Sequence, residues 1–275
     1  MKLTIITINR NNAAGLEKTM QSVLSQTCKD FEYVVVDGAS TDGSVEVIRR
    51  FAAQFRERMK WVSEPDAGIY NAMNKGILMS LGEYCQFLNS GDFLASDEVV
   101  HFMLEALDDK SNPDVLYGNM KKVMPDGSSF ITSGGATDDV TLDIFFRGCL
   151  NHSPAYIRRR LFDEYGLYDE SLQICSDWKF YMQAIVLGRA TVRYVNILVT
   201  VFDMGGISET RKDILEEERT RLLREMVPAG ILKDYQNYHF AVEQYKRLKR
   251  HHVWGFVSFV ERVLFKLEKW YILKK

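Results

Sequence analysis

The sequence predicts an α/β fold, a mixed sheet flanked by helices, and three observations point to it. Runs of β-branched and aromatic residues alternate with segments of helical spacing as far as Leu107. Phe31 to Asp37 is apolar on both faces, as strands of a buried parallel sheet are. After Tyr117 the alternation stops, and Met120 to Ile131 has the pattern of a hairpin around Pro125-Asp126-Gly127, a strong turn signal. The sheet should therefore combine parallel and antiparallel strands.

Each remaining element has a local signal of its own. Leu3 to Ile8 is a β-branched run typical of a strand. Ala13 to Gln26 has helical spacing, and Asn11 or Asn12 can cap that helix. The same signals predict helices at Ser44 to Phe55, Gly68 to Met79, Asp97 to Leu107, Val140 to Arg147 and Asp177 to Leu187, and strands at Trp61 to Ser63, Tyr84 to Leu88, Pro154 to Ile157 and Thr191 to Phe202. From Arg211 the chain is helical with a break at Pro228, so we expect a domain over residues 1–208 and a helical extension over 209–275.

Composition and charge exclude several classes of protein. The chain has 275 residues, of which 46% are hydrophobic and 26% charged, so it is neither a disordered chain nor a disulfide-rich miniprotein. A formal net charge of -2 argues against a general nucleic-acid binder. The four cysteines lie in or near apolar runs without a Cys-x-x-Cys pair, so we expect reduced thiols in a cytoplasmic protein. We expect neither a signal peptide nor a transmembrane helix, because neither apolar pattern occurs.

Polar clusters follow the first four predicted strands. They lie at 7–11, 37–44, 64–68 and 89–92. Ligands of open α/β sheets bind outside the carboxyl ends of the strands, so these clusters are candidates for one binding site. Each cluster alone is compatible with ordinary turn and cap chemistry, but four in succession at one sheet edge favour a site. None of them has the glycine pattern of a dinucleotide site or a P-loop.

The order and spacing of these clusters resemble those of a known family. The matching stretches are TIITINRN at 4–11, QT at 26–27, FEYVVVDGASTDGS at 31–44, EPDAGIYNAMNKGI at 64–77, FLNSGD at 87–92, His152, GLYDE at 166–170, SDW at 176–178 and GGIS at 205–208. Over residues 3–208 the chain resembles the family-2 inverting glycosyltransferases of the GT-A fold, and it is most similar to the bacterial members that build exopolysaccharide, capsule or O-antigen units.

The resemblance implies a fold, a reaction and a setting. The fold is the Rossmann-like GT-A sheet. The reaction moves a sugar from a nucleotide-diphosphate donor, most often a UDP-sugar in this family, to a saccharide or lipid-linked saccharide acceptor with inversion. The setting is the synthesis of cell-surface polysaccharide.

The resemblance also implies roles on the donor side of the site. Asp37 matches the carboxylate that pairs with the nucleotide base. Thr7 and Asn9 match the first nucleotide loop, and Asp66 matches a further nucleotide contact. Lys75 could reach the diphosphate as a point charge, although a lysine on a helix is equally an ordinary surface residue.

A metal site is implied at the family's DxD element. Asp92 matches its metal-binding carboxylate, which makes Mn2+ or Mg2+ the expected cofactor, bridging phosphate oxygens. The chain departs from the pattern, because Asn89 replaces the first acid and Gly91 stands where many relatives have another. Asn89 is therefore a candidate donor-binding residue, and we expect the nucleotide to complete a weak metal site. The alternative is that Asp92 only forms an Asx turn.

Two further residues are implied for catalysis. Asp177 matches the catalytic base, but it follows Ser176 where relatives have another acid, and it is equally placed to cap the next helix. His152 lies at a motif position and could touch the donor phosphates, the metal or the acceptor. A lone histidine is also often structural.

The end of the chain is basic and aromatic. Residues 241–275 carry nine Lys and Arg against three Glu, a net charge of +6, among aromatic and aliphatic residues. This composition is typical of a helix that lies on an anionic membrane, so we expect peripheral attachment to the inner face of the plasma membrane. The alternative is that the apolar stripe packs on the catalytic domain or on a second subunit of a homodimer.

Two other functions stay open at this stage. A nucleotidyltransferase shares related α/β sheets, but the glycine-rich basic signature near the N-terminus is absent. A catalytically inactive sugar-nucleotide-binding or membrane scaffold module is disfavoured because Asp37, Asp92 and Asp177 are all retained.

Overall fold

Residues 1–107, 112–203, 211–250 and 254–272 are described by the computed structural model. Contacts divide the chain into two units, Met1–Glu218 and Arg219–Lys275. In the first unit, nine described strands form one mixed sheet, which confirms the predicted α/β fold. The predicted motif at 205–208 and the last three residues of the basic tail lie outside the described residues.

The sheet combines a parallel half with an antiparallel addition. Its strands are β1 (Leu3–Asn9), β2 (Phe31–Asp37), β3 (Met59–Ser63), β4 (Tyr84–Phe87), β5 (Phe93–Leu94), β6 (Val115–Val123), β7 (Ser129–Thr132), β8 (Ala155–Arg158) and β9 (Val192–Asp203). They lie in the order β3-β2-β1-β4-β8-β6-β9-β5, and β7 pairs with β6. The first four in this order are parallel, whereas β8 runs antiparallel to both of its neighbours. The hairpin predicted around residue 126 is the antiparallel pair of β6 and β7.

Helices follow most of the strands. They are α1 (Ala13–Leu24), α2 (Ser44–Phe55), α3 (Ile69–Met79), α4 (Val99–Leu107), α5 (Leu142–Arg147), α6 (Arg160–Tyr165), α7 (Ser176–Tyr181), α8 (Lys212–Met226), α9 (Ala229–Lys249) and α10 (Trp254–Ile272). The predicted helical end of the chain, with its break at Pro228, is confirmed by α8, α9 and α10. Among the helices described, none combines the length and the apolar character needed to cross a membrane.

Three of the four parallel strands, β1, β2 and β4, are buried on both faces, and β3 at the edge is partly buried. Every residue of β1 and β2 is buried, and Ile5 and Tyr33 pack in one core cluster with Leu16 of α1 and Phe51 of α2. Full burial of such a side chain contributes about 1.5–3 kcal/mol of transfer free energy. This packing fixes the register of the strands, and with it the positions of the residues at their carboxyl ends.

Candidate active site

The register of the parallel strands gathers a polar cluster around Asp37. Asn9, Asp37 and Ser63 end β1, β2 and β3 and lie directly opposite one another. Asp37 is fully buried, and its Oδ1 accepts hydrogen bonds from Asn9 Nδ2 at 2.7 Å and Ser40 Oγ at 2.6 Å. Its Oδ2 accepts from the Ser40 backbone N–H at 2.9 Å and from Ser63 Oγ at 2.7 Å. Burial raises the pKa of Asp37, but these hydrogen bonds outweigh it and hold the pKa below its ordinary value.

Thr7 and Asn9 lie on the same face of β1 but differ in what they offer. The buried Thr7 hydroxyl donates to the Leu88 carbonyl at 2.7 Å and accepts from the Tyr33 hydroxyl at 2.9 Å. Asn9 Oδ1 is buried without a hydrogen-bond partner in the described part of the chain. The Thr7 hydroxyl therefore links β1 to Tyr33 of β2 and to Leu88 after β4 inside the core. Asn9 instead retains an acceptor oxygen without a partner among the described residues, beside Asp37.

Asp66 closes over the loop that follows Asp37. Its Oδ1 accepts the Gly68 N–H at 3.0 Å and lies 3.9 Å from the Arg10 guanidinium. A Cβ at position 38 would collide with Asp66 Oδ2, so Gly38 permits this approach. The first three polar clusters of the sequence thus meet in one place.

Lys75 lies at the border of this group. Its Nζ is 2.7 Å from Glu64 Oε1 and 2.9 Å from the Pro65 carbonyl oxygen. The ammonium therefore ties α3 to the loop after β3, and Glu64 offsets part of its charge.

The fourth cluster, Asn89 to Asp92, is a turn held by α1. The buried Thr19 hydroxyl donates to the Asp92 carbonyl at 2.6 Å and accepts from the Gly91 N–H at 3.0 Å. Asn12 Nδ2 donates to the Ser90 carbonyl at 3.1 Å. Sequence reasoning missed Thr19, because a threonine inside a helix carries no motif.

The turn offers oxygen atoms suited to a hard cation. Asp92 is only 5% exposed, and Asn89 Oδ1 is a buried acceptor without a hydrogen-bond partner among the described residues. Carboxylate and amide oxygens are ligands that Mg2+ accepts, so both residues fit such an ion. The described residues contain no group of three or more His, Cys, Asp or Glu that could hold a metal, so further ligands would come from the donor phosphates and water.

Asp177 lies in the first turn of α7 without capping it. The capping position is Cys175, which makes no side-chain capping bond, so the alternative that Asp177 caps this helix is wrong. Its Oδ1 lies 3.1 Å from the hydroxyl of Tyr70 on α3, and the side chain is partly exposed. Burial, and next the charge of Asp177, raise the pKa of Tyr70 far above its ordinary value, so the phenol stays protonated as a donor.

His152 lies close enough to Asp177 for the charge of that carboxylate to act on it. Its ring stacks on Phe87 with centroids 4.9 Å apart, and its Nε2 is 2.8 Å from the Tyr168 hydroxyl. Burial lowers the pKa of His152 below 6.5, although the charge of Asp177 opposes the shift. The imidazole is therefore neutral near pH 7 and acts through hydrogen bonds and packing.

Helix α3 holds the segment that carries Asp177. Asn71 Nδ2 donates to Glu170 Oε2 at 2.9 Å, and Asn74 Nδ2 donates to Glu170 Oε1 at 2.8 Å. Asn74 also exchanges hydrogen bonds with both backbone groups of Tyr168, at 2.9 and 3.0 Å. Both asparagines stand in the motif EPDAGIYNAMNKGI, yet their part in holding this segment went unpredicted.

The site residues fall into neighbouring groups at one edge of the sheet. The Asp37 group contains Thr7, Asn9, Asp37 and Asp66 with Lys75 at its border, and the Asp177 group contains Asp177 and His152. The turn from Asn89 to Asp92 adjoins both, because Thr7 bonds to Leu88 and His152 stacks on Phe87.

Comparison with known proteins identifies the family. The sequence model described as glycosyl transferase family 2 matches residues 4–165, more than half of the chain. The chain belongs to glycosyltransferase family 2. The match covers the Asp37 group and His152, and it ends before Asp177.

Curated relatives extend this likeness. A PGL/p-HBAD biosynthesis glycosyltransferase of Mycobacterium bovis is 31% identical over 212 residues, which cover 76% of this chain and 80% of the relative. An uncharacterized glycosyltransferase of Mycobacterium tuberculosis is 30% identical over 215 residues, covering 76% and 78%. Both relatives match about three quarters of this chain, and their likeness supports glycosyltransferase activity.

Solved structures share the fold. S. aureus TarS 1-349 in complex with UDP-GlcNAc superposes with a TM-score of 0.67 at 20% identity, over 88% of this chain and 73% of the TarS 1-349 chain. The mannosyltransferase PcManGT from Pyrobaculum calidifontis, in complex with GDP-Man and Mn2+, has a TM-score of 0.54 at 18% identity, over 73% of this chain and 56% of its own. The expected GT-A fold of this family-2 enzyme is confirmed.

Proposed function

We propose that this enzyme moves a sugar from a UDP-sugar to a saccharide or lipid-linked saccharide acceptor, with inversion, in the synthesis of cell-surface polysaccharide. The observation that carries the proposal is the Asp177 carboxylate, partly exposed and hydrogen-bonded to Tyr70, at the sheet edge that also holds the buried Asp37 cluster. TarS, which shares the fold, was solved with UDP-GlcNAc, and this supports a uridine nucleotide.

Asp177 is the proposed general base. It takes the proton of an acceptor hydroxyl while that oxygen forms a bond to the anomeric carbon. The bond from that carbon to the diphosphate oxygen breaks on the opposite face, and its electron pair leaves with UDP. Tyr70 engages Oδ1, and Oδ2 accepts no hydrogen bond from the described residues, so Oδ2 is the oxygen we assign to the acceptor. A positioned base contributes about 100-fold to 10,000-fold to such a step.

The nucleotide is proposed to bind at the Asp37 group. Asn9 and Asp66 face the loop between Asp37 and Ser40, and the unused Asn9 Oδ1 is an acceptor for an N–H of the base. Thr7 supports the same strand end from inside the core. Lys75 is the proposed cation near the diphosphate, and Glu64 sets its position.

A divalent cation, Mn2+ or Mg2+, is proposed at the turn that follows β4. Asp92 and Asn89 supply its protein oxygens, and the bound ion would neutralise the departing diphosphate. PcManGT, a neighbour in fold, was solved with Mn2+.

The end of the chain is proposed to attach this cytoplasmic enzyme to the inner face of the plasma membrane. On α10, the side chains of Phe256, Phe259 and Phe265 are 71%, 59% and 65% exposed. Arg262 is exposed on the same helix, and the sequence adds four lysines from 266 onward. Aromatic side chains beside basic ones suit the boundary between acyl chains and anionic headgroups. The reacting groups are proposed to lie within residues 1–208, and the membrane attachment within the extension 209–275.

A transfer assay tests the proposal. A panel of UDP- and GDP-sugars is offered with lipid-linked and free saccharide acceptors, with Mn2+ or with EDTA. We expect sugar transfer from a UDP-sugar, and we expect EDTA to abolish this transfer. Calorimetry should show that Asp92→Ala loses the metal-dependent part of UDP binding. Nucleotide affinity unchanged in Asp92→Ala would overturn the metal role. Donor binding without any transfer would favour the inactive binding module instead.

A further inference from the structure

We propose that Glu218, on α8, is a positioning residue that fixes the backbone carrying Asp177. Glu218 is only 6% exposed. Its Oε1 accepts the N–H of Gln173 at 2.7 Å, and its Oε2 accepts those of Ile174 and Cys175, each at 3.0 Å. One buried carboxylate thus binds three consecutive backbone donors.

These donors lie directly before the proposed base. Cys175 is the capping residue of α7, and Asp177 stands two positions later. The cap residue makes no side-chain bond to the helix start, and Glu218 binds the N–H of the cap residue itself, as the glutamate of a capping box does. A buried N–H left without a partner costs about 1–3 kcal/mol, so the segment should not keep this conformation without the carboxylate.

The same backbone is held from its other side by Tyr70. The Ile174 N–H bonds to Glu218, and the Ile174 carbonyl accepts the Tyr70 hydroxyl at 2.5 Å. The single proton of that hydroxyl is shared with Asp177 Oδ1, which lies 3.1 Å away. Glu218 and Tyr70 therefore bind the same peptide segment from two sides. A shift of residue 174 would move both Asp177 and the Tyr70 hydroxyl that bonds to it.

Glu218 does not itself suit the role of base. Both of its oxygens are occupied by backbone donors, and the side chain is buried. Its effect on turnover must pass through Asp177, so the proposal rests on the proposed function of that residue. A misplacement of about 1 Å at a reacting group can cost roughly 100-fold in rate.

Glu218→Gln is the test, with Glu217→Gln as its matched control. Glutamine keeps the volume of the side chain but turns an amide N–H2 toward backbone donors, whereas Glu217 is exposed on the same helix. With the donor identified in the panel assay and UDP release as readout, we expect kcat to fall at least about 10-fold in Glu218→Gln. The Kd for UDP should stay within about twofold, and the control should match the wild type in both quantities.

The same substitution in an Asp177→Asn background separates positioning from general destabilisation. If Glu218 acts through Asp177, Glu218→Gln lowers the residual rate of Asp177→Asn by less than about twofold. A full additional loss in that background would overturn the proposal, as would a normal kcat in Glu218→Gln alone. Should Glu218→Gln fail to fold, Glu218→Asp, which keeps the charge but shortens the reach, is measured against the same outcomes. If Asp177→Asn itself turns over normally, the proposed base is wrong and the positioning role falls with it.

Discussion

Asp37 shows how one buried carboxylate can organise a binding site. It accepts four hydrogen bonds from three neighbours, and its own backbone carbonyl receives the Glu64 N–H at 3.0 Å. The loops after β1, β2 and β3 are therefore joined through this one residue. The resemblance to family 2 singled out Asp37 as a nucleotide contact, and the structure adds that Asp37 orders the loops that surround it.

The lowered pKa of Asp37 predicts a pH-dependent contribution to stability. Because the folded-state pKa lies below the ordinary value of 3.8, this contribution is complete above pH 4–5 and is lost as the pH falls through the folded-state pKa. We expect Asp37→Asn to lower the free energy of unfolding by at least about 2 kcal/mol at pH 7, because an amide cannot accept all four hydrogen bonds. Denaturant unfolding of both proteins at pH 7 and pH 3 measures this.

The difference between wild type and Asp37→Asn is the informative quantity, since it cancels the titration of other groups. It should shrink on acidification. A difference that is equal at both pH values would mean that the ionised carboxylate contributes nothing that the amide does not.

At the scale of the element, α3 is a clamp between the two groups of the site. Its lysine holds the loop after β3, and its tyrosine and two asparagines hold the segment from Tyr168 to Asp177. The motif EPDAGIYNAMNKGI therefore works as a unit, in which one face of a helix joins the Asp37 group to the Asp177 group.

Removal of one member of this clamp should be costly. Asn74 is 4% exposed and takes part in three hydrogen bonds, so Asn74→Ala leaves buried backbone groups unpaired and should destabilise the protein by about 2–3 kcal/mol. Leu78→Ala, on the exposed side of the same helix, should stay within about 0.5 kcal/mol of the wild type. Thermal and denaturant unfolding measure the stability of the two variants. Equal losses of unfolding free energy would contradict a specific role of Asn74 in holding the segment from Tyr168 to Asp177.

Sequence reasoning was most successful where a signal is periodic or local. The four parallel strands, the hairpin around residue 126 and the break at Pro228 follow from apolar runs and turn residues, and the structure has all of them. It has in addition β5, whose two residues are too short to show a period, and the π-helical turn at Met182–Val186, which interrupts the helix predicted over 177–187. Thr19 and Glu218 went unpredicted because their roles depend on contacts between distant parts of the chain, which no local pattern records. Thr19 contacts a residue 73 positions away, and Glu218 contacts one 45 positions away.

At the scale of the whole molecule, the chain divides into a unit with the sheet and a helical unit at the end. The division falls after Glu218, ten residues beyond the boundary expected from sequence. The first half of α8 thus counts with the sheet, because Glu218 bonds to the segment before α7. Within the second unit, the large apolar side chains of α10 that are described, from Phe256 to Phe265, are exposed.

Membrane attachment by α10 is tested by vesicle flotation. The full chain should float with anionic vesicles at low salt and should be released at high salt, because several basic residues near the surface contribute about 1 kcal/mol each. A chain that ends at Arg250 should fold and remain monodisperse but no longer float. Neutral vesicles are the control for the electrostatic part. A full chain that ignores anionic vesicles, or a truncation that changes oligomeric state, would show that α10 packs on protein, as in a homodimer.

The turnover of Asp177→Asn tests the central claim most directly. Asparagine keeps the size of the side chain and can still accept from Tyr70, but it cannot take a proton from an acceptor hydroxyl. We expect the Kd for UDP to stay within about twofold of the wild type, while UDP release in the presence of acceptor slows at least about 100-fold. A variant that binds UDP normally and turns over near the wild-type rate would contradict the assignment of Asp177 as the base.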